Sequence, residues 1–295
     1  ESNKKEEKRR KTKNDIINNL MNKRSAISTS TNTINIDQNF IDTQTWPYTI
    51  NQKNDVDNII INFTEDVIFN SAAHYFKIEN TDSITNLFST NYVAEQDSIQ
   101  NNTSVFFIGN HKTIDISNVT NYPGLIQNGS DDTVCSFADI LVDKLHINTK
   151  DGTTLKDNAG WFAQQYFGRG IYAFSEGYEH QLAYIFRDCS TNGPISTGSG
   201  GIIGANALEC AYATLLVQKC YSTGSIGENA GGIIGKEFSS NDYSSDSNFG
   251  KVNSNLQQNT QSIVEILWCF SSGEIGNNAG GIIGNNCSKY SIECF

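Results

Sequence analysis

Residues 175–180, "SEGYEH", place Glu176, Glu179 and His180 on one short stretch, with Arg169 and Arg187 on either side. Two carboxylates, an imidazole and a nearby guanidinium are the groups that acid–base chemistry on a sugar chain needs: a proton donor, a proton acceptor and a cation for developing charge. This is the chain's best candidate for catalysis or carbohydrate binding. The remaining carboxylates of the middle region, Asp131, Asp132, Asp143 and Asp151, are scattered. The four histidines, His74, His111, His146 and His180, share no H-x-x-x-H spacing, so no metal site is expected. Nucleophile elbows, phosphate-binding loops and dinucleotide fingerprints are absent, and no cofactor is implied. Acidic loops often carry such groups without using them, and a non-enzymatic role is the first expectation.

Seven cysteines, Cys135, Cys189, Cys210, Cys220, Cys269, Cys287 and Cys294, form no C-x-x-C pair. They are expected as packed core thiols rather than as ligands or nucleophiles. Three of them start a repeat. "CSTNGPISTGSGGIIG" runs from Cys189, "CYSTGSIGENAGGIIG" from Cys220 and "CFSSGEIGNNAGGIIG" from Cys269. The first glycine of G-G-I-I-G lies eleven residues after the cysteine each time, at Gly200, Gly231 and Gly280. Glycine also recurs at Gly193, Gly224 and Gly273, and isoleucine at Ile195, Ile226 and Ile275. The strand-start residues are Gly201, Ile202, Ile203, Gly204, then Gly232, Ile233, Ile234, Gly235, then Gly281, Ile282, Ile283, Gly284.

Such a repeat must build the same backbone path three times. The cysteines are spaced by 31 and 49 residues, the second interval inflated by a polar stretch at 236–262 that reads as a surface insertion. The unit lacks the signatures of leucine-rich, helical and propeller repeats. An all-β parallel β-helix fits: short strands stack rung on rung, with equivalent residues above one another. Alternating apolar positions before each cysteine (Tyr184 and Phe186, Leu215 and Val217, Val264 and Ile266) are expected to face inward. Asn158, Asn229 and Asn278 are expected as buried amides linking turns, and the glycine pairs as bends or close approaches. Residues 155–162 form a diverged first unit in which Trp161 and Phe162 replace Gly-Ile, and Cys294-Phe295 repeats the Cys269-Phe270 pair. The domain reading is a charged, disordered tail at 1–33, leading turns at 34–134, a diverged repeat at 135–188 and the glycine-rich repeats at 189–295.

Charge sharpens the functional expectation. Residues 1–24 hold nine of the 21 Lys/Arg and four of the 32 Asp/Glu, leaving twelve basic and 28 acidic groups, a balance of −16, on the rest. Such a body repels phosphates, so nucleic acid is expected only at the tail, through Lys8, Arg9, Arg10, Lys11 and Lys13, a patch that also reads as a nuclear signal. No stretch is apolar and long enough for a membrane span.

The motif C-[YF]-S-[TS]-G-x-I followed by G-G-I-I-G resembles the glycine-rich GLUG repeat of bacterial surface adhesins, and is similar to Asn/Ile-rich β-helix proteins of giant DNA viruses. Ile-Ile stands here where Leu-Val is common in the bacterial form. The resemblance covers about residues 155–295. It implies a right-handed β-helix on a virion or cell surface, with a structural or adhesive role. Its partner would be a protein or glycan surface, with homo-oligomerisation or attachment to a larger particle. The alternative is a polysaccharide-acting lyase or hydrolase on the same scaffold, with Glu176, Glu179, His180 and Arg187 as its candidates.

Overall fold

The computed structural model describes residues 15, 18, 31–52, 58–80, 103–131, 135–136, 138–150, 152–169, 182–209, 213–239, 262–287 and 292–294. Glu176, Glu179, His180, Cys210 and the basic residues of the tail lie outside them. Within them the chain is all-β apart from one short helix, and every sheet is parallel.

Three files of parallel pairing run through the molecule. The first is the main sheet, formed by β1 (Thr31–Ile36), β3 (Asn58–Phe63), β6 (Ser104–Ile116), β8 (Asp139–Thr149), β9 (Leu182–Arg187), β11 (Ala213–Gln218), β13 (Ile263–Leu267) and β15 (Ile292–Cys294), in that order. The second joins β4 (Val67–Phe69), the far halves of β6 and β8, β10 (Ser190–Thr191), β12 (Tyr221–Ser222) and β14 (Phe270–Ser271). The third begins as β2 (Tyr48–Gln52), β5 (Phe76–Asn80) and β7 (Ile126–Gln127), then thins to single bridges linking Ile126, Ala163, Ile203, Ile234 and Ile283. Sequence order equals stacking order in each file, so successive units lie side by side. In the first unit a helix, α1 (Gln38–Thr43), stands where later units have a second-file strand. It is capped by Asp37, which accepts from Phe40 N at 2.7 Å.

The expected register holds. Tyr184 pairs with Leu215 and Leu215 with Val264, while Phe186 pairs with Val217 and Val217 with Ile266, all of them buried. Full burial of an aliphatic side chain contributes roughly 1.5–3 kcal/mol, so a column repeated over several units supplies much of the cohesion. The opposite face of the same strands is apolar too: Phe106, Leu141, Ala183, Ile185 and Leu216 form a second buried cluster. Strands buried on both faces read as continuous apolar runs such as "ATLLVQ", as parallel sheets do.

The glycine-rich corner assigns its residues differently from the sequence expectation. Asn158, Asn229 and Asn278 are not buried amides; they take the left-handed conformation, with φ of 65°, 57° and 53°, and are half-buried or exposed. Gly198 fills the same place at φ 68°. Asparagine therefore makes the bend, because its short side chain tolerates that backbone region. The G-G glycines have no positive φ and serve close approach: a Cβ on Gly201 would lie 2.0 Å from Gly232 O, and one on Gly232 2.1 Å from Gly281 O. Trp161 occupies the place of Gly201 in the diverged unit, since Gly160 bridges Gly200. Its ring is accommodated beneath Gly193, where a Cβ would approach Trp161 Cζ2 to 2.3 Å.

Two boundaries move. Residues 236–239, expected in the inserted loop, belong to the stack: Lys236 N donates to Gly198 O, Ser239 N to Ala207 O, and Phe238 is fully buried. Cys294 does not repeat Cys269, because β15 pairs it with Ile266 in the main sheet. Strand β1 also starts at Thr31, inside the stretch assigned to the tail.

Candidate binding face

The corner between the first and second files positions the most organised surface of the molecule. One residue per unit bends the chain there in left-handed geometry: Lys144 (φ 54°), Asp188 (52°), Lys219 (54°) and Trp268 (53°). Such a conformation costs a non-glycine residue about 1–2 kcal/mol. Backbone bonds between units hold it, from Asp188 N to Gln218 O and from Lys219 N to Leu267 O, both 2.9 Å. The bend turns the next residue inward and the following one outward.

The inward column is Leu145, Cys189, Cys220 and Cys269. Each thiol has two carbonyls within reach of its single proton, the one two residues before it and one in the preceding unit: Gln218 O (3.4 Å) and Phe186 O (3.5 Å) for Cys220, Leu267 O and Val217 O (both 3.4 Å) for Cys269. Burial pushes the Cys220 thiol up, whereas the neighbouring Cys220 thiol draws that of Cys269 down. Cys135, Cys189, Cys220, Cys269 and Cys287 are free thiols; the first three are buried and the last two half-buried.

The outward column runs Thr113, His146, Ser190, Tyr221, Phe270 by register. His146 Nδ1 shares a 2.7 Å hydrogen bond with Ser190 Oγ, and its ring stacks on His111 at 6.2 Å between centroids. Burial and the neighbouring His111 lower the His146 pKa, against opposing pulls from Asp188 and Asp66. Tyr221 and Phe270 stack in parallel, 5.0 Å apart with 2° between planes, and both are exposed. Trp268 beside them is 63% exposed, with Lys219 Nζ 6.0 Å from its ring centre.

Two residues further on lies a polar column: Asp115 pairs with Asn148, and Asn192, Thr223 and Ser272 directly follow the ends of β10, β12 and β14. Side chains join its upper members rung to rung: Asn148 Nδ2 donates to Asp115 Oδ1 (2.7 Å), Asn192 Nδ2 to Asn148 Oδ1 (2.5 Å), and Lys150 pairs with Asp115 Oδ2 (3.3 Å). The result is an array of aromatic and amide or hydroxyl groups at one rung spacing, about 4.8 Å. The sequence marked Tyr221 and Phe270 only as residues following a cysteine. The bend column before the cysteine was missed because Lys, Asp and Trp share no chemical type, only a backbone conformation.

Of the enzyme candidates, only Arg187 lies among the described residues. Its Nε donates to Asp143 Oδ1 at 2.7 Å, and that carboxylate is wholly buried. Arg169 belongs to another corner, beyond the third file. There its Nε meets Glu209 Oε2 at 3.0 Å, its Nη1 lies 3.6 Å from Asp131 Oδ1 and donates to Ser130 O at 3.1 Å, and its guanidinium covers the Tyr166 ring. Burial raises the Glu209 pKa while Arg169 opposes it, and burial together with Asp131 takes the Tyr166 hydroxyl up to about 12. The two arginines thus serve different carboxylates. Among the described residues no group of three or more His, Cys, Asp or Glu side chains could hold a metal ion, and no helix is long and apolar enough to cross a membrane. No protein family, curated protein or solved structure matches the chain.

Proposed function

We propose that the chain is a right-handed parallel β-helix with a non-enzymatic, structural or adhesive role, presenting its laddered corner to an elongated ligand on a virion or cell surface. Three files of parallel pairing in sequence order support the coil, and the resemblance of the repeat to adhesin and giant-virus β-helices supports its handedness and location. The observation that carries the role is the alignment of two outward columns over successive rungs, ending in exposed aromatics. An array repeated at every rung meets an extended ligand many times, so modest contacts sum to useful affinity. The test is retention of the labelled full chain on native particles or cells of its source. Tyr221→Ala combined with Phe270→Ala, both at exposed positions, is expected to abolish retention at nearly unchanged thermal stability; unchanged retention would refute the role.

A second reading, a polysaccharide-acting enzyme, is favoured by one observation. Arg169 holds Asp131 and Glu209 on either side, and burial raises the Glu209 pKa as a general acid requires. Release of reducing ends from a polysaccharide by the native chain, lost in Glu209→Gln, would favour this reading over the first.

A further inference from the structure

Resting on the binding role proposed for the laddered corner, we infer that its ligand is a linear, uncharged glycan, seated with sugar rings against Tyr221, Phe270 and Trp268. Among the described residues most of the large aromatics are completely buried, Trp161, Tyr122 and Tyr184 among them. Three aromatics left in water on neighbouring rungs of one corner are therefore a departure that needs a use. Aromatic rings recognise the C–H faces of pyranose rings by dispersion and C–H/π contact, without charge.

Charge selects the ligand further. On the face itself Lys144, Lys150 and Lys219 are matched by Asp115, Asp188 and Glu274, so it offers no net charge. The surrounding body, at −16 outside the first 24 residues, repels polyanions over a Debye length of about 8–10 Å. A neutral polymer meets no such repulsion here. The polar column beside the aromatics then supplies what a sugar's hydroxyls require: Thr223 and Ser272 present exposed hydroxyls on successive rungs, next to Asn192, whose amide is held by Asn148 and Thr149. A protein partner is less well matched. Outside the aromatic group and Ile68 the face is polar, which leaves little apolar area for an interface core.

Affinity electrophoresis of the full chain through gels containing β-1,4-glucan, β-1,4-mannan or β-1,4-xylan, with heparin and polygalacturonate as acidic counterparts, tests the inference. At least one neutral polymer is expected to retard the native chain. Tyr221→Ala and Phe270→Ala should each weaken retardation about three- to tenfold, whereas Lys77→Ala, at a partly exposed residue on β5 of the third file, should not. Retardation by acidic polymers only, or by none, overturns the inference. Its failure is separable from failure of the binding role. Retention on native surfaces that survives periodate oxidation of their carbohydrate yet is lost in Tyr221→Ala overturns the glycan and keeps the face. Retention indifferent to both aromatic variants overturns the face.

Discussion

Gly232 and Gly281 occupy the same place in two identical "NAGGIIG" segments, yet alanine is expected to act oppositely at them. A Cβ on Gly232 would sit 2.1 Å from Gly281 O, 2.5 Å from Ser271 Cβ and 2.7 Å from Ser271 Oγ. Carbon and oxygen need more than 3 Å, so the rungs must part by about 1 Å. Backbone bonds on both sides resist this, from Gly232 N to Gly280 O (3.1 Å) and from Ile233 N to Ile282 O (2.9 Å). Losing two such bonds at about 1 kcal/mol each, with the overpacking term of about 1–3 kcal/mol, predicts a destabilisation of about 3–5 kcal/mol. At roughly 2 °C per kcal/mol for a chain of this size, the thermal midpoint falls by about 6–10 °C. On Gly281 a Cβ would meet only Ile275 Cδ1, at 3.6 Å, and the backbone φ is not in the left-handed region. Gly281→Ala is then expected to be neutral or to stabilise by up to about 1 kcal/mol, through the lower entropy of the unfolded chain. Thermal unfolding followed by circular dichroism reads both. Equal midpoints for the two variants would refute close rung stacking as the reason for the glycine pair.

Other predictions follow from the same geometry. Asn229→Gly should be tolerated, as Gly198 is at the equivalent bend, while Asn229→Val should cost about 1–3 kcal/mol in urea denaturation because valine resists a φ of 57°. Arg187→Ala should destabilise the fold by about 3–5 kcal/mol by removing the ion-pair partner of the wholly buried Asp143 carboxylate, and an Arg187→Met, Asp143→Leu pair should recover most of that loss. Alkylation at pH 8, mapped by mass spectrometry, should reach Cys269 before Cys135 or Cys287, whose thiols burial pushes up to about 11; faster labelling of Cys135 would contradict this. The His146 pKa is depressed in the fold, so the unfolded chain binds its proton first on acidification. Its contribution is present above the ordinary value of 6.5 and is lost as pH falls from there through the folded-state value. His146→Asn should flatten that part of the stability–pH curve, and an unchanged slope would contradict the assignment.

What was legible in the residues was the repeat and its apolar side. Cysteine, glycine and isoleucine at fixed intervals specify a common backbone path, and the period-two alternation before each cysteine sets which side chains meet. The roles of Asn229 and Gly232 were not legible. Both residue types suit a bend or a close approach, and only the backbone dihedrals and the neighbouring rung distinguish the two uses. The place of Cys294 was misread for a related reason. A Cys-Phe pair carries no register by itself, and the strand pairing of Ile292 with Val264 decides it.

The sequence by itself determined an all-β, repeating architecture with an acidic body, because periodicity and composition are local properties of the chain. Only the tertiary structure decided which side chains share a surface. Thr113, His146, Ser190, Tyr221 and Phe270 have no common chemistry and uneven spacing, yet stacking brings them into one column. The physical reason is that insertions between units change distance along the chain without changing the rung spacing, so proximity is set by hydrogen-bonded register rather than by sequence separation.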